Sequence, residues 1–100
     1  MSDNQYTTLS EALHDLVVRG FTENFEFIEG MLCDVDTGLF YTADELTIVE
    51  HHRFEGMSDP DDMSIVYAIV SSDGRRGLLV DAFGPYSNYD LGYFLEKVKI

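Results

Sequence analysis

The segment that most restricts the fold is residues 63–83. Two apolar runs, 63–71 and 76–83, flank Asp73-Gly74, a pair preferred in two-residue type I′ hairpins. A two-residue loop fixes the register. Ile69 is then expected opposite Leu78, Tyr67 opposite Val80 and Ile65 opposite Ala82, with Ala68–Leu79 and Val66–Asp81 on the other face. Both faces are largely apolar, so these strands are expected to be central or covered on both sides.

The rest of the chain has to supply that cover. Thr8 followed by Glu11 reads as a capping box, and Leu9, Ala12, Leu13, Leu16 and Val17 recur with the helical period. Gly20 offers a left-handed stop, Phe21 can fold back on Leu16, and Arg19 sits at the negative end of the dipole. The spacing predicts a helix over 8–19 after a loose polar segment, 1–7. Residues 24–28 alternate around Phe25 and Phe27, and 31–34 read as a second short strand after a turn or bulge at Glu29-Gly30. Residues 35–44 read as loop. In the strand 46–54, Leu46, Ile48, Glu50, His52 and Phe54 share one face, and Thr47, Val49, His51 and Arg53 the other. Residues 55–62, with Gly56, Pro60 and four acids, form an exposed loop. Gly84-Pro85 ends the last strand. Leu91, Phe94, Leu95 and Val98 predict a helix over 88–97, with Ser87 and Asp90 as its capping box and Lys97 and Lys99 near its negative end. The predicted fold is α+β, one domain over 8–100: a small antiparallel sheet of about three to five strands with an N-terminal and a C-terminal helix. No βαβ unit is available for a parallel nucleotide-binding sheet.

Charge narrows the partners. Nineteen acids against six bases give a net charge of −13. Such a field repels nucleic acid and anionic membranes, and suits a basic protein, a cation or simple solubility. No stretch approaches the ~20 apolar residues of a spanning helix. The N-terminus carries no signal-peptide run, and Cys33 is the single cysteine, so no internal disulfide forms. A cytoplasmic location is expected.

Candidate chemistry is sparse. Asp34, Asp36 and Glu45 match positions one, three and twelve of a calcium loop, but Leu39 stands where that loop needs glycine. Asp36-Thr37-Gly38 also resembles the end of a phosphoribosyl-pyrophosphate loop, without its paired acids, and reads as an Asp-rich turn. His51 and His52 point to opposite faces of a strand, His14 is remote, and Cys33 is the only thiol, so no metal site is expected. Cys33 lies in an apolar, acidic stretch that disfavours a thiolate, and no nucleophile elbow or phosphate loop appears. Neither catalytic residues nor a cofactor are assigned. Arg53 is the one base inside a strand, between Glu50 and Glu55. Asp81 stands on an apolar face and needs a partner there. Tyr86, Tyr89 and Tyr93 suit an interface or a small core.

The string Arg53-Phe54-Glu55-Gly56-Met57-Ser58-Asp59-Pro60-Asp61-Asp62, with Val66-Tyr67-Ala68-Ile69, Arg76 to Tyr86 and the opening Tyr6 to Leu13, resembles a family of small bacterial proteins of unknown function, mostly from Bacteroidetes. Its members are often labelled phosphoribosylpyrophosphate synthetase. True synthetases are far longer and use two parallel α/β domains, so the label transfers no residue roles. The resemblance implies a bacterial cytoplasmic protein.

The expected function is a non-enzymatic binding or regulatory module that self-associates or recruits a protein partner, with Arg53, Glu55, Asp59, Asp61 and Asp62 on the surface of interest. The alternative is a small-ligand or enzymatic site built from Glu50, His52, Arg53 and Asp81. A further possibility is weak binding of a divalent cation by the acidic loops.

Overall fold

The computed structural model describes residues 8–54, 64–82 and 89–99. Helix α1 (Leu9–Val18) leads into strands β1 (Glu23–Ile28), β2 (Met31–Asp34) and β3 (Leu39–Tyr41). A 3-10 turn at Ala43–Glu45 precedes β4 (Leu46–Phe54), β5 (Ser64–Ser71), β6 (Arg76–Ala82) and helix α2 (Tyr89–Glu96). The fold is α+β with a helix near each end, but the sheet is larger than expected and is mixed. Among the described residues six strands run in the order β3-β2-β1-β6-β5-β4. Two locally antiparallel meanders, β1-β2-β3 and β4-β5-β6, meet along β1 and β6, which are parallel, with Glu23 opposite Gly77 and Asn24 opposite Leu78. The expectation of a wholly antiparallel sheet is corrected by this seam. Gly77 permits it: a Cβ there would lie 2.6 Å from both the Glu23 carbonyl oxygen and the Phe25 ring.

Helix α1 begins and ends as its sequence dictates. Thr8 Oγ1 accepts the Glu11 N–H at 3.2 Å. At the other end the Gly20 N–H reaches Val17 O and the Phe21 N–H reaches Leu16 O, both at 3.0 Å, with Gly20 at φ +109°. This is the Schellman ending, sealed by Phe21 and Leu16 in one core.

Of the two tight hairpins, the Glu29-Gly30 turn forms as one of its two expected alternatives, whereas Asp73-Gly74 does not form the expected two-residue loop. Glu29 (φ +52°) and Gly30 (φ +82°) form the two-residue loop between β1 and β2, with Ile28 opposite Met31. At Asp73-Gly74 only the glycine takes positive φ, +90°. The Ser71 N–H donates to Arg75 O at 2.8 Å, leaving Ser72, Asp73 and Gly74 as a three-residue loop. The Asp73 carboxylate accepts from the Ser71 hydroxyl and from Tyr41 Oη, the latter at 2.9 Å, which fixes that arrangement. The expected register is therefore wrong by one residue. Ile69 faces Gly77, Tyr67 faces Leu79, Ile65 faces Asp81, Ala68 faces Leu78 and Val66 faces Val80. Leu78 and Leu79 are buried on opposite faces of β6, whereas Val80 stays 44% exposed.

Strand β4 also departs from strict alternation. A bulge at Val49 lies between the Ile48–Ile69 and Glu50–Ala68 pairs. Leu46 and Ile48 therefore face one side of the sheet, while Glu50, His52 and Phe54 face the other. Residues 35–44, expected as loop, hold β3 and the 3-10 turn, whose Glu45 Oε1 accepts the Thr42 N–H at 2.9 Å.

The sheet thus separates two cores. On one side α1 packs on β5 and β6 through Ala12, Leu16, Phe21, Val66, Ala68 and Leu78. On the other, Leu91 and Phe94 of α2, with Val98 just beyond it, share a core with Phe25, Leu32, Ile69 and Leu79. Past α2 the chain returns to the sheet edge, where Lys99 O accepts the Ile48 N–H at 2.7 Å. That contact covers one end of the β4 edge, and the polar residues Glu50, His51, His52 and Arg53 lie along the remainder.

Candidate functional site

The four strand residues expected to converge are divided by the sheet. Glu50 and His52 lie on the α1 side, whereas Arg53 and Asp81 flank Ile65 on the α2 side. The cause is local: Arg53 and His52 are neighbours on a strand, and the bulge at Val49 sets which of them faces α1. Glu55, Asp59, Asp61 and Asp62 lie outside the described residues.

Glu50 has two partners. The Arg19 guanidinium grips both carboxylate oxygens, and His52 Nε2 lies 2.7 Å from Oε1. Arg19 also approaches Asp15 at 3.6 Å, one helical turn back. The Arg19 hydrogen bonds, helped by His52, hold the Glu50 carboxyl below its ordinary pKa, against an opposing contribution from burial. This network ties the end of α1 to β4. On the opposite face Tyr67 packs near His51, ring centroids 6.2 Å apart, and its hydroxyl is pushed up by burial and by the charge of Asp81, while Arg53 pulls it down.

A second constellation, unrecognised in the sequence, gathers where β1, β2 and the β5–β6 turn meet. Phe25 pairs with Asp34, which puts Glu23 and Asp34 on one face, and the turn after β2 brings the Asp36 carboxylate beside them. One carboxylate oxygen from each lies within 4.8 Å of the others. Asp34 is fully buried, and its Oδ1 accepts the Asp36 N–H at 2.9 Å. Asp36 Oδ2 accepts the Asn24 N–H at 2.9 Å and the Asn24 side-chain amide at 3.3 Å. Asp34 Oδ2 and Glu23 Oε1 are buried and meet no donor among the described residues. Facing Asp34 raises the Glu23 pKa: the protonated acid can hydrogen-bond Asp34, and burial and the Asp34 charge act in the same direction. Arg75 Nη1 stands 3.6 Å from Glu23 Oε1, beyond hydrogen-bond range, and Arg75 Nε is equally far from Asp73. Asp34-x-Asp36 was visible as a pattern. Glu23 was not, because only the β1–β2 register and the β1–β6 seam bring it there.

The third feature is a groove of mixed polar and apolar lining. Beside α1 a groove of about 460 Å³ opens between Leu13, Asn24, Glu26, Val35, Leu78 and Val80. Val35 and Val80 each remain 44% exposed at its rim. Glu26 pairs with Cys33, and Cys33 with Phe40, so the same face continues to a Phe40 that is also about half exposed.

Comparison of the chain with protein-family models, with curated proteins and with solved structures finds no match. No helix among the described residues is long and apolar enough to cross a membrane.

Proposed function

We propose that the chain is a non-enzymatic binding or regulatory module that associates with a second copy of itself through the α1 side of β1 and β2. The observation that carries this reading is the groove beside α1, where Val35 and Val80 stay half exposed on a sheet face that the helix leaves open. A twofold contact would set groove against groove and bury both rims. Arg19 and Glu50 on that side are engaged with each other in holding α1 to β4, and Glu26 is the acid that lines the groove.

Sedimentation velocity at micromolar concentration tests it. A concentration-dependent dimer is expected, and Val80→Asp should return it to monomer with an unchanged circular-dichroism spectrum. A wild-type chain that stays monomeric at every concentration sinks the proposal.

The alternative, a small-ligand or enzymatic site, retains Glu50 and His52, a carboxylate that orients an imidazole. Arg53 and Asp81 are no part of it, being across the sheet. Membership of the small bacterial family, a cytoplasmic location and the exclusion of nucleic acid and membranes as partners stand as proposals on the residue pattern and the charge of −13. The synthetase label gains no support from the parallel β1–β6 pair, whose strands are joined through four other strands and not by a βαβ crossover.

A further inference from the structure

We propose that Glu23, Asp34 and Asp36 form a binding site for a hard divalent cation, with calcium favoured over magnesium. The acids alone would not carry this, since exposed carboxylates cluster often. What carries it is Asp34. Its side chain is 0% exposed, and one oxygen is used by the Asp36 N–H. The other, Oδ2, is buried without a donor among the described residues and belongs to a cluster that includes an equally donorless Glu23 Oε1. Two buried carboxylate oxygens left to each other are costly, and native structures rarely leave such groups without a partner.

The nearest cationic side chain does not resolve the cluster. Arg75 stops 3.6 Å from Glu23 and is shared with Asp73 at the same distance. Three carboxylates against one shared guanidinium leave a local charge that a divalent ion neutralises.

The donor set defines the ion. All three ligands are carboxylate oxygens, with no imidazole or thiolate, which selects hard cations over zinc or copper. The three ligand oxygens lie within 4.8 Å of one another. Calcium accepts irregular sets of carboxylate oxygens, whereas magnesium demands near-octahedral geometry and gives up its water reluctantly. The arrangement differs from a helix–loop–helix calcium loop. Its ligands come from the start of β1, the end of β2 and the Asx turn that follows, and Glu45 is engaged elsewhere with the Thr42 N–H. Gly77 keeps the seam narrow enough for Glu23 to reach its partners.

The test is a titration of calcium chloride into the full chain, read by calorimetry and by amide chemical shifts. Saturable binding of one ion is expected, with a dissociation constant of about 10⁻⁵ to 10⁻³ M. The shifts should concentrate at Asn24, Asp34 to Gly38 and Gly77. Asp36→Asn, an exposed position, should weaken binding at least ~10-fold, while Asp44→Asn, which removes the same charge from the 3-10 turn, should change it less than ~2-fold. Asp34→Asn should abolish binding; if that buried change prevents folding, Asp36→Asn against Asp44→Asn decides. Non-saturable heats, shifts spread evenly over the acidic surface, equal losses in the two exposed variants, or magnesium binding tighter than calcium would each overturn the assignment.

Discussion

A carboxylate gripped by a guanidinium and touched by an imidazole gains more from ionisation than one in water, and Glu50 is in that position. Its folded pKa lies below the ordinary glutamate value of 4.5, chiefly through Arg19. Below pH 4.5 the unfolded chain therefore binds the proton first, and stability rises with pH across that window. The contribution is complete above the window and disappears as pH falls through the folded pKa. Glu50→Gln should cost about 0.5–1 kcal/mol near neutral pH, the scale of a partly exposed pair. Wild type and variant should then converge under acid. Urea melts of both proteins from about pH 7 to about pH 3 check this, and a constant difference down to the lowest pH would show that lost packing, not charge, is responsible. Glu50 and His52 were recognisable as neighbours two apart on a strand. Arg19 as their partner was not, because it sits 31 positions from Glu50 and depends on how α1 crosses the sheet.

At the scale of elements, the most local features were legible and the turns were only half so. Thr8, Glu11, Gly20 and Phe21 lie within a few residues of the groups they bond, so the limits of α1 followed from the sequence. The hairpin loops needed contacts from outside themselves. Asp73-Gly74 has the composition of a two-residue loop, yet the Asp73 carboxylate is held by Ser71 and by Tyr41 from β3, and the loop takes a third residue. Glu29-Gly30 has the weaker composition but forms the two-residue loop, with a glutamate at φ +52°. A glutamate gains nothing there, since its side chain resists left-handed backbone and makes no local bond that asparagine could not. Glu29→Asn should therefore stabilise the protein by about 0.5–1 kcal/mol, seen as a higher melting temperature with the same two-state transition. An unchanged or lower midpoint would mean that the strand pair β1–β2 is not held by that turn. The bulge at Val49 left no comparable mark: valine suits any strand position, and only the faces of Ile48 and Phe54, each buried on a different side, reveal it.

For the whole molecule, the decisive event is the docking of two meanders along β1 and β6, and it is the least local of all. The two strands lie some fifty positions apart in the chain, and no periodicity in either announces that they run parallel. Gly77 is the one residue that records the seam, because any side chain there meets the Glu23 backbone and the Phe25 ring. Gly77→Ala should cost roughly 1–3 kcal/mol, the usual penalty for overpacking a closed interior, and denaturant midpoints would measure it. The same seam holds Glu23 beside the Asp34-x-Asp36 turn, a juxtaposition that no local pattern in the sequence marks.

Net charge acts at this scale as well, and it separates two kinds of partner. Each copy carries −13, so bringing two together is opposed by like-charge repulsion over distances set by the ionic atmosphere. That atmosphere shrinks from about 30 Å at 0.01 M salt to about 8 Å at 0.15 M. Contact of the exposed Val35 and Val80 side chains across the groove gains strength from the same change, since screening removes the opposition and leaves apolar attraction unaffected. Self-association should therefore be weak at low salt and stronger near 0.15 M, and sedimentation at both ionic strengths measures the difference. A contact with a basic partner would respond in the opposite sense, weakening as salt rises. Dimers that form best at low salt would mean that opposite charges meet at the interface, and the groove beside α1 would then not be the contact.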